Sequence, residues 1–417
     1  MNKLSNILEN YVDKRGGLFS YFAEVSSSHG NPKFFRYLSV INNINDKSKV
    51  RKIRGSGFSL DRESSQWSAI GEAVERYCSR VIPSNEIIEG SFLNVSNSRN
   101  TLNPYNVTRY LDSQIDKYPR FRTYSHDLEL RWSPCWDILN ERVIFVPYEL
   151  IYLDYINDYK PIREIISTGL ACAQNIKKAV VSGLNECIER DAFVLFWLFN
   201  KVNFKLNNFS VRLKQLDELL LLGKNRDLSI EIFDITQEDI KVPTILTLVK
   251  NKNRKGFYFG CASNFKYETA LLKSVEEGLG GYSAYVESID NYNVSVPKDK
   301  NKIMTLDDHC LYYIYGNNDE ILERFHNTSI VKDYEQVKYD VCFEEVKDRF
   351  KKMNYSIIIK DLTTVDVSSL GLFVARVITP ELAFLSVGDP MLNSKRINDK
   401  KIAFNINKLN LEPHPFP

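Results

Sequence analysis

The chain reads as an α+β protein built on mixed or antiparallel sheets. Three observations predict this class. Long segments with helical apolar spacing are interspersed with short β-branched and aromatic runs. Three of those runs, "LSIEIFDIT", "PTILTLVKN" and "KGFYFGCAS", follow one another with only polar separators, as paired antiparallel strands do. The composition, 43% apolar and 26% charged, is that of a globular chain with a substantial core.

Taken in order, a short amphipathic helix is expected near Asn6 to Lys14, within mixed text running to about Lys52. A Gly/Ser turn, "RGSGFSLDRESS", leads into a helix, "QWSAIGEAVERYCSRV". From Pro83 to about Arg131, Asn, Ser and Pro predominate and loops are expected. "RVIFVPYELIYL", Arg142 to Leu153, is strand-like. A second long helix covers Ile176 to Asn200, the three paired strands follow, and "KYETALLKSVEEGLGGYSAYVESI" forms a third helix. "DNYNVSVPKDKNK" is polar and reads as a flexible segment. A helix over Phe343 to Lys352 precedes strands "YSIIIKDL" and "GLFVARVI", and no solenoid repeat is visible.

The 417 residues allow two or three domains, although large α/β enzymes run this long as one unit. A net charge of +2 gives no argument for a nucleic-acid partner. Seven scattered cysteines without a C-x-x-C pair predict reduced, buried thiols, not a disulfide frame or zinc knuckle. No signal peptide opens the chain and no apolar run reaches the ~20 residues of a membrane span, so the cytoplasm is the expected setting.

The most informative pattern is an echo. "SAIGEAVERYC" (Ser68 to Cys78) and "SGLNECIERDA" (Ser182 to Ala192) share a Ser-x-x-x-Glu-x-x-Glu-Arg skeleton. On helices, Ser68, Glu72 and Glu75 share one face, as do Ser182, Glu186 and Glu189. Apolar residues occupy the opposite faces: Ala69, Ile70, Ala73, Val74 and Tyr77 in one, Leu184, Ile188, Ala192, Leu195 and Phe196 in the other. Packed together, the helices can aim four acids into one cleft. Four carboxylates without His or Cys suit a hard cation, Mg²⁺ in particular, which also relieves their repulsion. The plainer alternative is that Glu72/Arg76 and Glu186/Arg190 are solvated i,i+4 ion pairs.

These residues resemble the YcaO family. The blocks "GSGFSLDRESSQWSAIGEAVERYC", "STGLACAQNIKKAVVSGLNECIERDAFVLFW", "ALLKSVEEGLGGY" and the terminal "PHPFP" are similar to its signature in order and spacing, from Gly55 to Pro417. The resemblance implies a YcaO-like fold with a carboxylate-lined cleft for ATP and Mg²⁺, residues 1–50 forming an N-terminal segment and 51–417 the catalytic domain. It implies a cyclodehydratase that converts Cys, Ser or Thr of a ribosomally made precursor peptide to thiazoline or oxazoline, by phosphorylating the amide oxygen. The family's metal acids map onto Glu72, Glu75, Glu186 and Glu189. Ser68 and Arg190 match phosphate-side positions, and Glu277 matches the acid of the third helix. Implied partners are the precursor peptide, an E1-like leader-binding protein and a flavin-dependent azoline dehydrogenase.

The chain departs from the family pattern at several positions. Phe58 stands where the family often has Lys between two glycines; Ala171, Ala173, Gln174 and Lys178 replace a common Ser-x-Gly-Asn-x-x-x-Glu; Gly280 replaces a frequent Gln. The metal acids are kept while nucleotide contacts differ. Two other readings therefore stand beside cyclodehydration: a thioamide-forming enzyme of the same family, and a non-catalytic scaffold subunit of a peptide-maturation complex.

The last residues, Pro413 to Pro417, alternate proline to the end. Three fixed φ angles favour a polyproline strut with little entropy to lose on ordering. Such a strut can place the α-carboxylate of Pro417 in a cleft as a proton acceptor, the role that the resemblance also implies. His414 is a candidate orienting group, with a packed histidine as the alternative, and adjacency alone makes no dyad of His309 and Cys310.

Overall fold

The computed structural model describes residues 3–26, 34–43, 51–153, 160–207, 213–292, 294–316, 319–326 and 330–417. Its strands form three sheets. A three-stranded antiparallel sheet has the order β1 (Phe19–Glu24), β2 (Phe35–Asn43), β3 (Arg51–Ser59). A six-stranded antiparallel sheet is built from β4 (Ile88–Ser91), β5 (Glu129–Asp137), β6 (Arg142–Pro147), β7 (Leu170–Ala173), β13 (Ile358–Asp361) and β14 (Phe373–Ile378). The five-stranded sheet joins β8 (Phe204–Asn207), β9 (Leu228–Asp234), β10 (Thr244–Asn251), β11 (Phe257–Ser263) and β12 (Val331–Asp333), and its β8–β12 pair is parallel. Mixed and antiparallel sheets under packed helices are the architecture expected from the sequence.

The three long helices glue these sheets together. The first, Arg62–Cys78, is capped by Asp61, whose carboxylate accepts the Ser64 N–H at 2.7 Å; it lies on β2 and β3 and reaches β7. The second, Ile176–Phe199, is capped by Asn175, ends at a left-handed Asn200 and packs between β7, β14 and β11. The third, Tyr267–Tyr292, covers β10 and β11 and touches β3. Ala69, Ile70, Ala73, Val74, Leu184, Ile188, Ala192, Leu195 and Phe196 are all buried, so the faces read as apolar are the packed ones; Tyr77 is partly buried.

Several boundaries differ from expectation. The Gly/Ser stretch is strand β3, not a turn. Its Gly57 is there for close approach, since a Cβ would lie 2.1 Å from the Ser65 carbonyl oxygen of the first helix. That helix begins at Arg62, four residues earlier than expected, because Asp61 supplies the cap. The N-terminal helix spans Lys3–Asn10. The Arg142 strand stops at Pro147 and gives way to a 3₁₀ turn, Tyr148–Leu150. The segment read as flexible is helical through Tyr292 and turns again at Lys300–Lys302; its Asn293 lies outside the described residues. Of the cysteines, Cys342 is exposed and Cys172 half-buried, while the other five are buried, and all are free thiols.

Candidate active site

The cleft of about 710 Å³ between the three long helices is lined by Glu72 and Glu75 of the first, Ser182, Asn185, Glu186, Glu189 and Arg190 of the second, and Glu277 of the third. Counting Asp307, six acids face three cations, Arg76, Arg190 and Lys273, and Pro417 closes one side. Every predicted site residue except Ser68 lies on this wall. Ser68 sits one turn before Glu72, exposed, and is not part of the lining. Its Cβ packs against β3, 2.9 Å from where a Gly57 Cβ would be.

Four of the six acids are held by a backbone N–H from a neighbouring element. Glu75 accepts from Cys172 at 2.6 Å, Glu186 from Gly169 at 3.0 Å and Glu189 from Ser263 at 3.2 Å. Glu72 accepts from the Ser56 hydroxyl at 2.9 Å and pairs with Arg76 at 2.6 Å. Gly169 has φ +87°, and a Cβ there would lie 2.2 Å from the Val377 carbonyl oxygen, so only glycine brings that N–H to Glu186. The loop before it is fixed by the buried Arg376, which donates to the Ile166 and Ser167 carbonyls at 2.9 Å each. Nothing in the residues around Arg376 marks this role in advance.

Crowding acids in a buried cleft raises their proton affinity. Burial pushes Glu75 well above the usual carboxylate range, and the Glu186 charge adds to it. Burial raises Glu186 as well, against the pull of Arg190. Glu189 is pushed well up by burial, with Arg190 opposing and Glu277 adding; Glu277 is pushed up to about 7, chiefly by burial. For Arg190, burial works against the charge, but Glu189, Glu186 and Glu277 outweigh it and raise its pKa.

The donor set suits a hard cation delivered with its own oxygen ligands. Among the described residues, no three acidic, His or Cys side chains come close enough to form a ready-made cage. Glu72, Glu75, Glu186 and Glu189 line the one cleft, with each carboxylate drawn toward its own N–H or arginine. A magnesium ion normally keeps one or two carboxylates and takes the rest of its ligands from phosphates and water. Asn185 supports that fit: it is 7% exposed, lines the cleft, and its Oδ1 has no hydrogen-bond partner. Sequence reasoning passed it over, since it sits between the named Ser182 and Glu186.

The positions departing from the family pattern fall into two groups. A Cβ on Gly280 would lie 2.2 Å from the Phe58 ring, so these two residues are halves of one packing change. Ala171 lines the cleft, whereas Gln174 and Lys178 are exposed and outside it. Lys178 therefore does not face the acids; its N–H serves the Asn175 cap.

The proline tail is buried from Pro413 to Phe416 and bonded at nearly every residue. Trp197 Nε1 donates to the Glu412 carbonyl at 2.7 Å, and the Tyr313 hydroxyl donates to that of Pro413 at 2.6 Å. His309 Nε2 accepts the Gly388 N–H at 3.0 Å, so its Nδ1 carries the hydrogen that reaches the His414 carbonyl at 2.6 Å. His414 stacks on His309 with centroids 4.3 Å apart and bonds the Ser386 carbonyl through Nε2 at 2.9 Å. Burial lowers His309 to about 4 and His414 well below the usual imidazole value, so both rings are neutral wedges. The Phe416 ring stacks on Phe193 at 4.4 Å, under the Arg190 guanidinium. Arg190 Nη1 donates to the Pro417 terminal oxygen at 2.6 Å. His309 and Tyr313, four residues apart on the Leu306–Ile314 helix, are tail clamps that the sequence left unassigned.

Comparison with known proteins fixes the family. The family model described as YcaO cyclodehydratase, ATP- and Mg²⁺-binding, matches residues 56–383. The chain belongs to the YcaO family. Members bind ATP and Mg²⁺. Among curated proteins, the chain is 25% identical over 247 residues to the microcin B17-processing protein McbD of Escherichia coli. It is 30% identical over 140 residues to an uncharacterised protein of Rhizobium leguminosarum bv. trifolii. These matches cover 58% and 33% of this chain, and span 57% and 31% of the relatives' own lengths. A heterocyclase solved with substrate and cofactor superposes at TM-score 0.77 with 16% identity, over 100% of this chain and 57% of the other. A chain of the E. coli McbBCD microcin synthetase complex with pro-MccB17 bound gives 0.66 with 15% identity, over 98% and 99%. At such identities the likeness is one of fold. No helix among the described residues is long and apolar enough to cross a membrane.

Proposed function

We propose that this protein is an ATP-dependent cyclodehydratase that forms thiazoline or oxazoline rings at Cys, Ser or Thr of a ribosomally made precursor peptide. The observation that carries the reading is the C-terminal Pro417, tied to Arg190 at the wall of a cleft lined by Glu72, Glu75, Glu186, Glu189 and Glu277. A tail clamped by Trp197, Tyr313 and His309 gives its terminal carboxylate a fixed address at that wall.

ATP with Mg²⁺ would supply the phosphoryl group that makes the amide oxygen a leaving group. Glu72, Glu75, Glu186 and Glu189 are the residues to hold the cation, with Asn185 offering one more oxygen. Pro417 would accept the proton of the attacking thiol or hydroxyl as it adds to the preceding carbonyl. Arg190 orients that carboxylate, and its Nε and Nη2 face Glu189 and Glu186 at 3.5 and 3.7 Å. Its reading as a phosphate contact is compatible only with sharing those donors. Residues 51–417 would form the catalytic domain, and an E1-like partner would present the peptide, with a flavin-dependent dehydrogenase acting later on the rings. The role of McbD in microcin B17 processing supports the peptide substrate.

The test is mass spectrometry of a Cys/Ser/Thr-rich precursor encoded beside this gene, incubated with the protein, its E1-like partner, ATP and Mg²⁺. Loss of one water per ring is expected; exchange of oxygen for sulfur would select the thioamide reading instead. A scaffold role is favoured by the Phe58 ring filling the space over Gly280. Calorimetry that finds no Mg²⁺–ATP binding, with or without the partner, would select that role.

A further inference from the structure

Beside the acidic cleft runs a second groove of about 490 Å³ with the opposite charge. Lys52, Arg54, Arg76 and Arg80 line it, and among the described lining residues none is acidic. Its other wall is apolar: Leu153, Ile165, Ile166 and Leu306. The groove is continuous with the cleft, since Arg76, Ile166, Ser167 and Leu306 border both.

One flank of this groove is β3, whose outer edge pairs with no other strand among the described residues. β3 is the terminal strand of its sheet. Two backbone groups on that edge are already taken by the first long helix: the Ser56 N–H donates to Glu72 and the Arg54 carbonyl accepts from Arg76 Nη1 at 3.0 Å. In a pleated strand alternate residues present both backbone groups to the same side, so Lys52 shares this edge with Arg54 and Ser56. Lys52 and Arg54 are exposed, and their β2 partners are Asn42 and Val40. Exposed edges of this kind are templates for an added strand.

We propose that this edge docks an extended acidic segment of the peptide substrate, which pairs with β3 and leads the reacting residue into the cleft. The proposal rests on the peptide-modifying reading above. Charge chooses the occupant: the exposed Lys52 and Arg54 attract acidic side chains, while the acids of the neighbouring cleft repel them from entering further. Alternation chooses its pattern. Every second side chain of an added strand faces the cations and the others face Leu153 and Ile165. With the Arg54 carbonyl and Ser56 N–H taken, the backbone groups of Lys52 and the Arg54 N–H are left on this edge, room for about two or three residues of an added strand.

The probe is a fluorescein-labelled peptide of about ten residues alternating Glu and Val, titrated with the full-length protein by anisotropy at low salt. The expected result is saturable binding, weakened about tenfold or more in Lys52→Glu/Arg54→Glu. It should also be weakened when alternate backbone nitrogens of the probe are methylated, and absent for a Lys/Val counterpart. Should the reversal variant misfold, Lys52→Gln/Arg54→Gln serves, with the same direction and a smaller change. Unchanged affinity in a folded variant, equal binding of the Lys/Val peptide, or displacement by a tighter-binding oligonucleotide would overturn the proposal. In turnover, the reversal should raise the precursor KM while leaving Mg²⁺–ATP affinity as in the wild type. Ring formation with an unaltered KM sinks the docking surface and spares the enzyme. Charge-dependent peptide binding without ring formation sinks the enzyme and spares the docking surface.

Discussion

Replacing Glu277 by Gln should make the metal-free protein more stable near pH 8 while damaging its function. Glu277 lines the cleft, and burial pushes its pKa up to about 7 from an ordinary 4.5. A raised carboxylate pKa means that the folded state holds its proton more tightly than the unfolded chain does. Stability from this group is therefore intact below about pH 4.5, falls as pH rises, and is fully lost above about 7. The gap between the two values corresponds to about 3 kcal/mol, an upper bound because the cleft is open to solvent. Gln cannot ionise, so the variant should gain about 1–3 kcal/mol at pH 8 and little at pH 4.5. Urea denaturation at several pH values, without nucleotide or metal, reads this directly. Added Mg²⁺–ATP should then stabilise the wild type more than the variant. Equal stability of the two proteins across that range would refute the view that the acids are crowded and await a cation.

Three further outcomes follow from the packing. Tyr313→Phe removes the 2.6 Å hydrogen bond to the Pro413 carbonyl, so stability should fall by about 1 kcal/mol in denaturant titration, with cyclisation kcat falling while the KM for ATP holds. Arg396→Met leaves Asp191, which is fully buried and paired at 2.7 Å, without its counter-charge; a loss of about 3–5 kcal/mol is expected in the same assay. Gly57→Ala puts a methyl 2.1 Å from the Ser65 carbonyl oxygen and should cost about 1–3 kcal/mol or more, lowering the melting temperature and displacing the helix that carries Glu72.

The parts legible in the sequence were those carried by periodicity. The apolar faces of the first and second long helices and the β9–β10–β11 run report their geometry locally, and the structure places them as read; the acids at i and i+3 line one cleft. What stayed hidden depends on distant partners. Gly55 and Gly57 look like turn residues until the helix that presses on them is known. β4 is four residues long in a stretch rich in Asn and Ser, too short for its alternation to register. Arg376 reads as one more strand arginine, yet its value lies in three carbonyls, those of Leu150, Ile166 and Ser167. His309 and Tyr313 gain meaning only when the chain's end, about a hundred residues later, folds back against them.

The terminal carboxylate is the most exposed point of the account. Deleting Pro417 moves the carboxylate back by about 3.3 Å, onto Phe416, whose ring is 3% exposed against Phe193. The measurement is precursor cyclisation, followed by mass, beside calorimetric Mg²⁺–ATP affinity, in the full chain and in the chain lacking Pro417. The account predicts cyclisation slowed by about 10²–10⁴-fold, the worth of a positioned base, with nucleotide affinity kept. Equal cyclisation rates in the two proteins would contradict it.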